Sequence, residues 1–191
     1  MVHSHKKRSI KYVDIRPGSL LISSPVNSKY DNSKSLILIT QHNEDGTTGI
    51  MLNKQLATHK ILKRVYGSNE PVEVQYGGPD NLDLESYLII YPSIKNGWQD
   101  SAFWSYDNLD IYTILHFLSE YNIRIGAFKG CIQWGHGELE TELEDVQWWF
   151  TNDYQINSIL NTGNYTWESL AKKYGGHYAN LVAEDIPIIY N

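Results

Sequence analysis

The stretch GCIQWGHGELETELE, residues 130–144, combines a strand, a glycine-rich turn and an acidic helix start. The preceding residues 124–129, RIGAFK, alternate polar and apolar side chains, which is typical of a β-strand. Gly135 and Gly137 flank His136, and this pattern indicates backbone angles that favour glycine. We therefore expect the strand to end before Trp134.

The residues after this turn predict a helix. Glutamates at alternate positions from 138 to 144 lie where the exposed N–H groups of a first helical turn favour negative charge. Leu139, Leu143, Val146 and Phe150 follow at helical spacing and would form its apolar face.

Outward from this stretch, the chain consists of short apolar runs between turn signals. Strands are predicted at Ser19–Ser23, Leu36–Gln41, Thr48–Asn53, Pro71–Tyr76, Ser86–Tyr91 and Ser101–Tyr106. Helices are predicted at Thr58–Tyr66, Leu109–Tyr121, Asp153–Leu160 and Thr166–Tyr174. Leu36–Ile39 is apolar on both faces and indicates a central strand, and Asp45-Gly46 predicts a hairpin. Strands interspersed with helices predict a mixed sheet in one domain, residues 17–191, after a flexible arm, residues 1–16.

Composition narrows the class of protein. The 191 residues carry a net charge of −6 and a sequence pI near 5.6, so general attraction to nucleic acid is not expected. The single cysteine, Cys131, is consistent with a reducing compartment. No apolar run reaches the roughly 18 residues of a membrane helix, and the basic N-terminus lacks a secretory apolar region. We expect a cytoplasmic protein without membrane association or direct DNA binding.

Four segments share an order and spacing with one known family. They are GSLLISSP at 18–25, HNEDGTTGIMLNK at 42–54, GGPD at 77–80 and GCIQWGHGELETEL at 130–143. Together they resemble the bacterial AlgH/YqgE family over roughly residues 17–185. The resemblance implies an α+β fold in which a bent mixed β-sheet forms a pseudo-barrel with flanking helices. It also implies a regulator of transcription, without an established catalytic residue.

The chain departs from the family pattern within the same segments. Thr47-Thr48 stands where Gly-Ala is usual, Asp80 where valine is usual, and His136 where proline is usual. Gln133 and Glu138 replace a glycine and a glutamine. These changes leave the expected fold in place and alter the chemistry of the turns.

His136, Glu138 and Glu140 are chemically able to ligate a metal. Residues two apart on a helix point in different directions, so the spacing favours a solvated helix start. His42 could join them only if the fold brings the hairpin turn alongside. The turn also lacks the Lys-Ser/Thr of a phosphate-binding loop, and the following glutamates would oppose an anion. We predict no metal and no cofactor.

These patterns favour a non-catalytic binding or regulatory protein whose partner is a small molecule or another protein. The alternative is a small-molecule hydrolase of the phosphate-ester type, with His42, His136 and Glu140 as its acid and base groups. Cys131, expected in a buried strand, is more typical of an inert apolar residue than of a nucleophile.

The glycine-containing turns predict where a functional surface would lie. We predict that it lies where the turns His42–Gly46, Gly77–Asp80 and Trp134–Gly137 meet, with Trp134 as an aromatic wall. The alternative is that the three turns only close the sheet. The candidate ligand-binding residues are His42, Asn43, Asn53, Gly77, Gly78, Trp134, Gly135, His136, Gly137 and Glu140.

Overall fold

The computed structural model describes residues 14–25, 34–56, 62–63, 71–93, 99–105, 116, 123–156, 159 and 166–176. The strands in these ranges are β1 Leu20–Ser23, β2 Leu36–Asn43, β3 Gly46–Met51, β4 Leu62–Lys63, β5 Val72–Tyr76, β6 Asp80–Ser93, β7 Gln99–Ser105, β8 Arg124–Gly135 and β9 Trp148–Thr151. The helices are α1 Glu138–Glu144 and α2 Trp167–Tyr174. Neither helix combines the length and apolar character needed to span a bilayer, and no other helix in the described ranges does.

Strand β8 organises the sheet because it has three partners. Its N-terminal half lies between β5, which runs parallel to it, and antiparallel β6. Its last residues, Ile132–Gly135, pair with antiparallel β3, and the sheet continues through β2 and β1 to β9. The α+β class and the mixed sheet are therefore confirmed. Within the described strands the pairing runs from β4 to β9 without closing, so no closed barrel is formed by strand pairing.

Strand β1 and the first half of β2 are buried on both faces. Each side chain of Leu36–Ile39 is at most 4% exposed. Leu36 and Leu38 belong to a core cluster that includes Leu170 of α2, whereas Ile37 belongs to one that includes Leu139 of α1. Because strand side chains alternate between faces, a continuous apolar run requires cover on both sides. The prediction of a central strand is confirmed, and α1 and α2 cover opposite faces.

The prediction that strand β8 ends before Trp134 was wrong. The strand continues through Trp134 and Gly135, because Thr47 and Gly46 of β3 pair with these two residues. Gly135 has ordinary backbone angles, and only Gly137 takes a positive φ, of 71°. A pairing partner supplied by a distant segment therefore overrides the local tendency of glycine to end a strand.

The predicted extent of α1 also needs correction. Leu139 and Leu143 are buried on the helix as expected, but the helix ends at Glu144. Val146 has a φ of 58°, which an α-helix cannot accommodate, and Phe150 lies on β9. The apolar spacing continued past the helix because β9 also buries side chains against the same core cluster.

Several other predicted helices can be compared with the structure only in part. Within the predicted helix Thr58–Tyr66, Leu62–Lys63 pairs with β5 as a strand, and the remaining residues lie outside the described ones. The predicted helix Leu109–Tyr121 lies outside the described residues except for His116, and Asp153–Leu160 is described in part. The helix predicted at Thr166–Tyr174 is confirmed, with Thr166 as its N-cap. The division into an arm and one domain stays a prediction, although Ile15 is already buried in the core.

Candidate functional site

The β2–β3 hairpin forms the first wall of the candidate site. Strand β2 ends at Asn43 and β3 begins at Gly46, as the Asp45-Gly46 signal predicted. The Asn43 side-chain oxygen accepts a hydrogen bond from the Asp45 backbone N–H at 3.0 Å and stabilises the turn. Gly46 has a φ of 145°, and a Cβ there would lie 2.3 Å from the backbone oxygen of Trp134. Glycine is required at Gly46 because the hairpin lies directly against β8.

The turn between β8 and α1 forms the second wall. Gly137 is the N-cap of α1 and takes left-handed backbone angles. The Glu138 carboxylate accepts a hydrogen bond from the Gly135 N–H at 3.0 Å, which folds the helix start back on the turn. The His136 Nδ1 atom lies 2.7 Å from the backbone oxygen of Glu44. This contact, between residues far apart in sequence, joins the two walls.

A surface cavity of about 510 Å³ lies between the walls, and we call it the turn pocket. Its side-chain lining includes His42, Asn43, Glu44, Thr47, His136 and Glu140, and Gly46 and Gly137 complete it. The structure therefore brings together six of the predicted ligand-binding residues, namely His42, Asn43, His136, Gly137 and Glu140 at the lining and Gly135 next to it. Their role in binding stays a prediction.

Two contacts of His42 define the polar chemistry of the turn pocket. Its Nδ1 atom lies 2.8 Å from the Thr47 hydroxyl, and its Nε2 atom lies 3.9 Å from a carboxylate oxygen of Glu140. Glu140 faces His42, whereas Glu138 turns back to Gly135, so the two carboxylates diverge as their spacing predicted. Among the described residues, no group of three His, Cys, Asp or Glu side chains is placed to hold a metal ion.

Trp134 lies beneath the turn pocket and does not form its wall. Its side chain is 4% exposed, and its indole N–H donates to the Glu142 carboxylate at 2.9 Å. The Trp148 indole N–H donates to the same carboxylate oxygen at 2.7 Å, and the two rings meet edge to face. The predicted aromatic wall is therefore corrected: the indole is used to anchor α1 to β8 and β9.

Sequence reasoning missed the structural role of Glu142. This carboxylate is buried in the core and satisfies two indole donors. A signal was available, because Glu142 follows Leu139 by three positions and must share its buried helical face. A buried carboxylate requires hydrogen-bond donors, and nearby tryptophans can supply them.

The third predicted turn, Gly77–Asp80, packs against the middle of β8. A Cβ on Gly78 would lie 2.1 Å from the backbone oxygen of Cys131, and one on Gly130 would lie 2.3 Å from that of Gly78. We call this backbone contact the glycine crossing. It lies about five residues before the turn pocket along β8, or roughly 15 Å. Two of the three turns meet, and Gly77 and Gly78 are explained by close packing.

Two further residues singled out from sequence have structural partners. The Asn53 side-chain oxygen accepts from the Leu36 N–H at 2.9 Å, and its amide donates to the Lys34 backbone oxygen at 2.7 Å. Asn53 thus ties the start of β2 to the end of β3, away from the turn pocket. Cys131 is fully buried, and burial, together with the charge of Asp80, raises the pKa of its thiol. A raised pKa opposes formation of the thiolate that a nucleophile requires.

Comparisons with known proteins agree with this fold. The model of a family described as AlgH-like, DUF179, matches residues 20–179. A UPF0301 protein from Chlorobium limicola is 25% identical over 168 residues, covering 86% of this chain and 89% of the relative. A UPF0301 protein from Cytophaga hutchinsonii is 26% identical over 174 residues, covering 86% and 92%.

Two solved structures are also similar. A Corynebacterium diphtheriae protein superposes with a TM-score of 0.63 at 17% identity, covering 87% of this chain and 91% of its own. The AlgH protein from Pseudomonas aeruginosa gives 0.58 at 18% identity, covering 96% and 97%. Likeness at these identities establishes the fold and leaves function to be argued from the site.

Proposed function

The chain belongs to the AlgH-like family, and from that premise we propose that it is a non-catalytic, cytoplasmic binding protein with a regulatory role. The turn pocket would hold its ligand. A volume of about 510 Å³ lies within the range of small-molecule sites, which favours a small molecule over a protein surface as the ligand.

The proposal rests mainly on the contacts that the polar side chains of the turn pocket make. His136 joins the two walls through Glu44, while His42 contacts Thr47 on one side and Glu140 on the other. These contacts hold the lining in place without a ligand. A cavity that is already formed binds with a smaller ordering cost, which is the property that a binding site needs.

The pocket should be tested with a fragment library, followed by heteronuclear NMR of the full chain. We expect shift changes confined to amides of the lining, and His136→Ala should weaken binding about fivefold because the two walls lose their contact. His116→Ala is the matched control, since His116 is exposed and is not among the lining residues. Fragments that bind elsewhere, or bind both variants equally, would contradict the proposal.

The proposed regulatory role does not include direct reading of duplex DNA. The net charge of −6 opposes nonspecific attraction to phosphates, which supplies much of the affinity of DNA-binding proteins. The basic segment 3–11 lies outside the described residues. A binding assay on genomic fragments over a range of salt concentrations checks this. Selective retention of one fragment at about 0.15 M salt would show that the proposal is wrong.

Two successive side-chain contacts in the turn pocket favour the second candidate, a phosphate-ester hydrolase. Thr47, His42 and Glu140 are placed as hydroxyl, base and carboxylate, with separations of 2.8 Å and 3.9 Å. Thr47 is only 4% exposed, and the second distance exceeds that of a hydrogen bond, so the arrangement supports catalysis less than binding.

Thr47→Val separates the two candidates because valine keeps the shape of threonine and lacks its hydroxyl. A hydrolase would lose turnover in this variant, whereas a binding protein would keep saturable binding with an affinity lowered by less than about tenfold, because only one contact of His42 is lost. We expect a screen of phosphate esters, with and without divalent metals, to give no turnover. Turnover in the wild type that disappears in His42→Ala and His136→Ala would overturn our choice.

A further inference from the structure

A second cavity, of about 330 Å³, lies where the start of β2 and the end of β3 meet the beginning of α2. We call it the helix cavity, and its described lining residues are all different from those of the turn pocket. Its apolar wall is formed by Leu36, Leu52, Ile159 and Trp167, all less than 10% exposed. The Trp167 indole N–H donates to the Ser23 backbone oxygen at 2.8 Å, which fixes the orientation of the ring. An aromatic ring could pack on this preformed surface.

The rim of the helix cavity carries positive charge. Among the described lining residues there are two lysines, Lys34 and Lys54, and one carboxylate, that of Glu168. The Lys34 ammonium lies 3.5 Å from Glu168 and 5.7 Å from the centre of the Trp167 ring. An ammonium group has three donors and is able to contact more than one carboxylate. This excess of lysine among the described lining residues, in a chain of net charge −6, favours an anionic ligand.

Gln75 provides the third observation. Its side-chain oxygen is buried and has no hydrogen-bond partner within the described part of the chain. A buried acceptor without a donor destabilises the fold, because the acceptor has lost its hydrogen bonds to water. Because Gln75 lines the helix cavity, a ligand that brings an O–H or N–H group could supply this donor.

We propose that the helix cavity binds a small aromatic carboxylate that also carries a hydroxyl or amide donor. The ring would lie against Trp167, the carboxylate would bind Lys34 and Lys54, and the donor would reach Gln75. The N–H groups at the start of α2 are not needed for the anion, because the Thr166 side chain already caps the helix. The site is independent of the ligand proposed for the turn pocket.

Phenyllactate is the probe, since it combines a ring, a carboxylate and a hydroxyl. Isothermal titration calorimetry and heteronuclear NMR of the full chain should show saturable binding, with shifts at the Gln75 amide and the Trp167 indole N–H. Hydrocinnamate lacks the hydroxyl and phenylpropanediol lacks the carboxylate, so both should bind more weakly.

Two variants test the assigned contacts. Lys34→Gln should weaken phenyllactate binding about fivefold, as expected for loss of one exposed ionic contact. Lys173→Gln is the matched control, because that lysine is 52% exposed against 53% for Lys34 and also faces a carboxylate. Gln75→Leu should remove the preference for phenyllactate over hydrocinnamate.

Any of three results would overturn the proposal, provided that the variants fold and keep the melting profile of the wild type. These results are the absence of saturable binding, shifts that map to the turn pocket, and equal affinities of Lys34→Gln and Lys173→Gln. A preference for phenyllactate that persists in Gln75→Leu would remove the role assigned to Gln75 and, with it, the ligand class.

Discussion

The turn pocket and the glycine crossing both place glycine-containing turns against β8, but the backbones are packed to different degrees in the two regions. At the crossing, Gly77, Gly78 and Gly130 bring backbone directly against backbone, and an added Cβ would lie 2.1–2.3 Å from a carbonyl oxygen. At the turn pocket, only Gly46 is packed so closely, whereas a Cβ on Gly137 would meet nothing within 4 Å. There, side chains such as His136 span the distance between the hairpin and the turn that precedes α1. The comparison teaches that a glycine-rich motif indicates close approach, and that polar side chains on both walls indicate a pocket.

The largest expected effect comes from adding one methyl group at the crossing. Gly78→Ala should destabilise the protein by about 3 kcal/mol or more, because the Cβ would overlap backbone atoms of Cys131 and Ile132 and the φ of 151° is unfavourable. Gly137→Ala is the control, with a cost of about 1–2 kcal/mol from its positive φ alone. Urea unfolding measures both, and failure of Gly78→Ala to fold is the extreme of the same outcome. Equal costs would remove the distinction between the two regions.

The next effect concerns the support beneath the turn pocket. Glu142→Gln should cost about 2 kcal/mol, because an amide brings buried donors to a site where two indole N–H groups need an acceptor. Glu144→Gln, on the exposed face of α1, should change stability by less than about 0.5 kcal/mol. Amide exchange should quicken at Gly135 and stay unchanged at Gly130. Faster exchange at both positions would mean that the two regions are not independent.

A smaller effect is expected from the contact between the two walls. His136→Ala should reduce the free energy of unfolding by about 0.5–1 kcal/mol, since it removes one exposed hydrogen bond to the Glu44 backbone oxygen. His42→Ala serves as a comparison within the same pocket, because His42 contacts the Thr47 hydroxyl on its own hairpin and reaches the other wall only at 3.9 Å from Glu140, beyond hydrogen-bond distance. Only His136→Ala should increase the exchange of amides on both walls. If both variants do so, the contact is not specific to His136.

The smallest effect lies outside both regions, at the ion pair between Lys63 and Glu85. The Lys63 ammonium lowers the pKa of Glu85 from its ordinary 4.5, and the Glu85 carboxylate raises that of Lys63 from 10.5. The pair therefore stabilises the fold between these values. Its contribution is lost as pH falls through the folded pKa of Glu85, or rises through that of Lys63.

Glu85→Gln should cost less than about 1 kcal/mol near neutral pH, because both side chains are partly exposed and screened. Unfolding at several pH values should show this difference shrinking at both extremes. A difference that grows in acid would contradict the assignment. The variant should leave amide exchange at both glycine regions unchanged.

Local patterns were sufficient wherever one segment decides its own conformation. The continuous apolar run Leu36–Ile39 predicted a central strand, Asp45-Gly46 predicted a hairpin, and the pattern of residues 166–174 predicted the helix α2. Five of the predicted site residues line one cavity, namely His42, Asn43, His136, Gly137 and Glu140, and their role in binding stays a prediction. Each of these signals depends on side-chain alternation, turn angles or capping, which act over a few residues.

The remaining features depend on contacts between distant segments, which only the tertiary structure decides. Strand β8 continues through Trp134 because β3 pairs with it there, although the glycines nearby indicate a turn. Glu142 is buried because α1 packs where Trp134 and Trp148 converge on it. Gly77 and Gly78 contact Gly130 and Cys131, so their role is set by the spacing between two backbones. The residue type determines which contacts a side chain is chemically able to make. Packing determines which partner the side chain has and whether a cavity remains beside it.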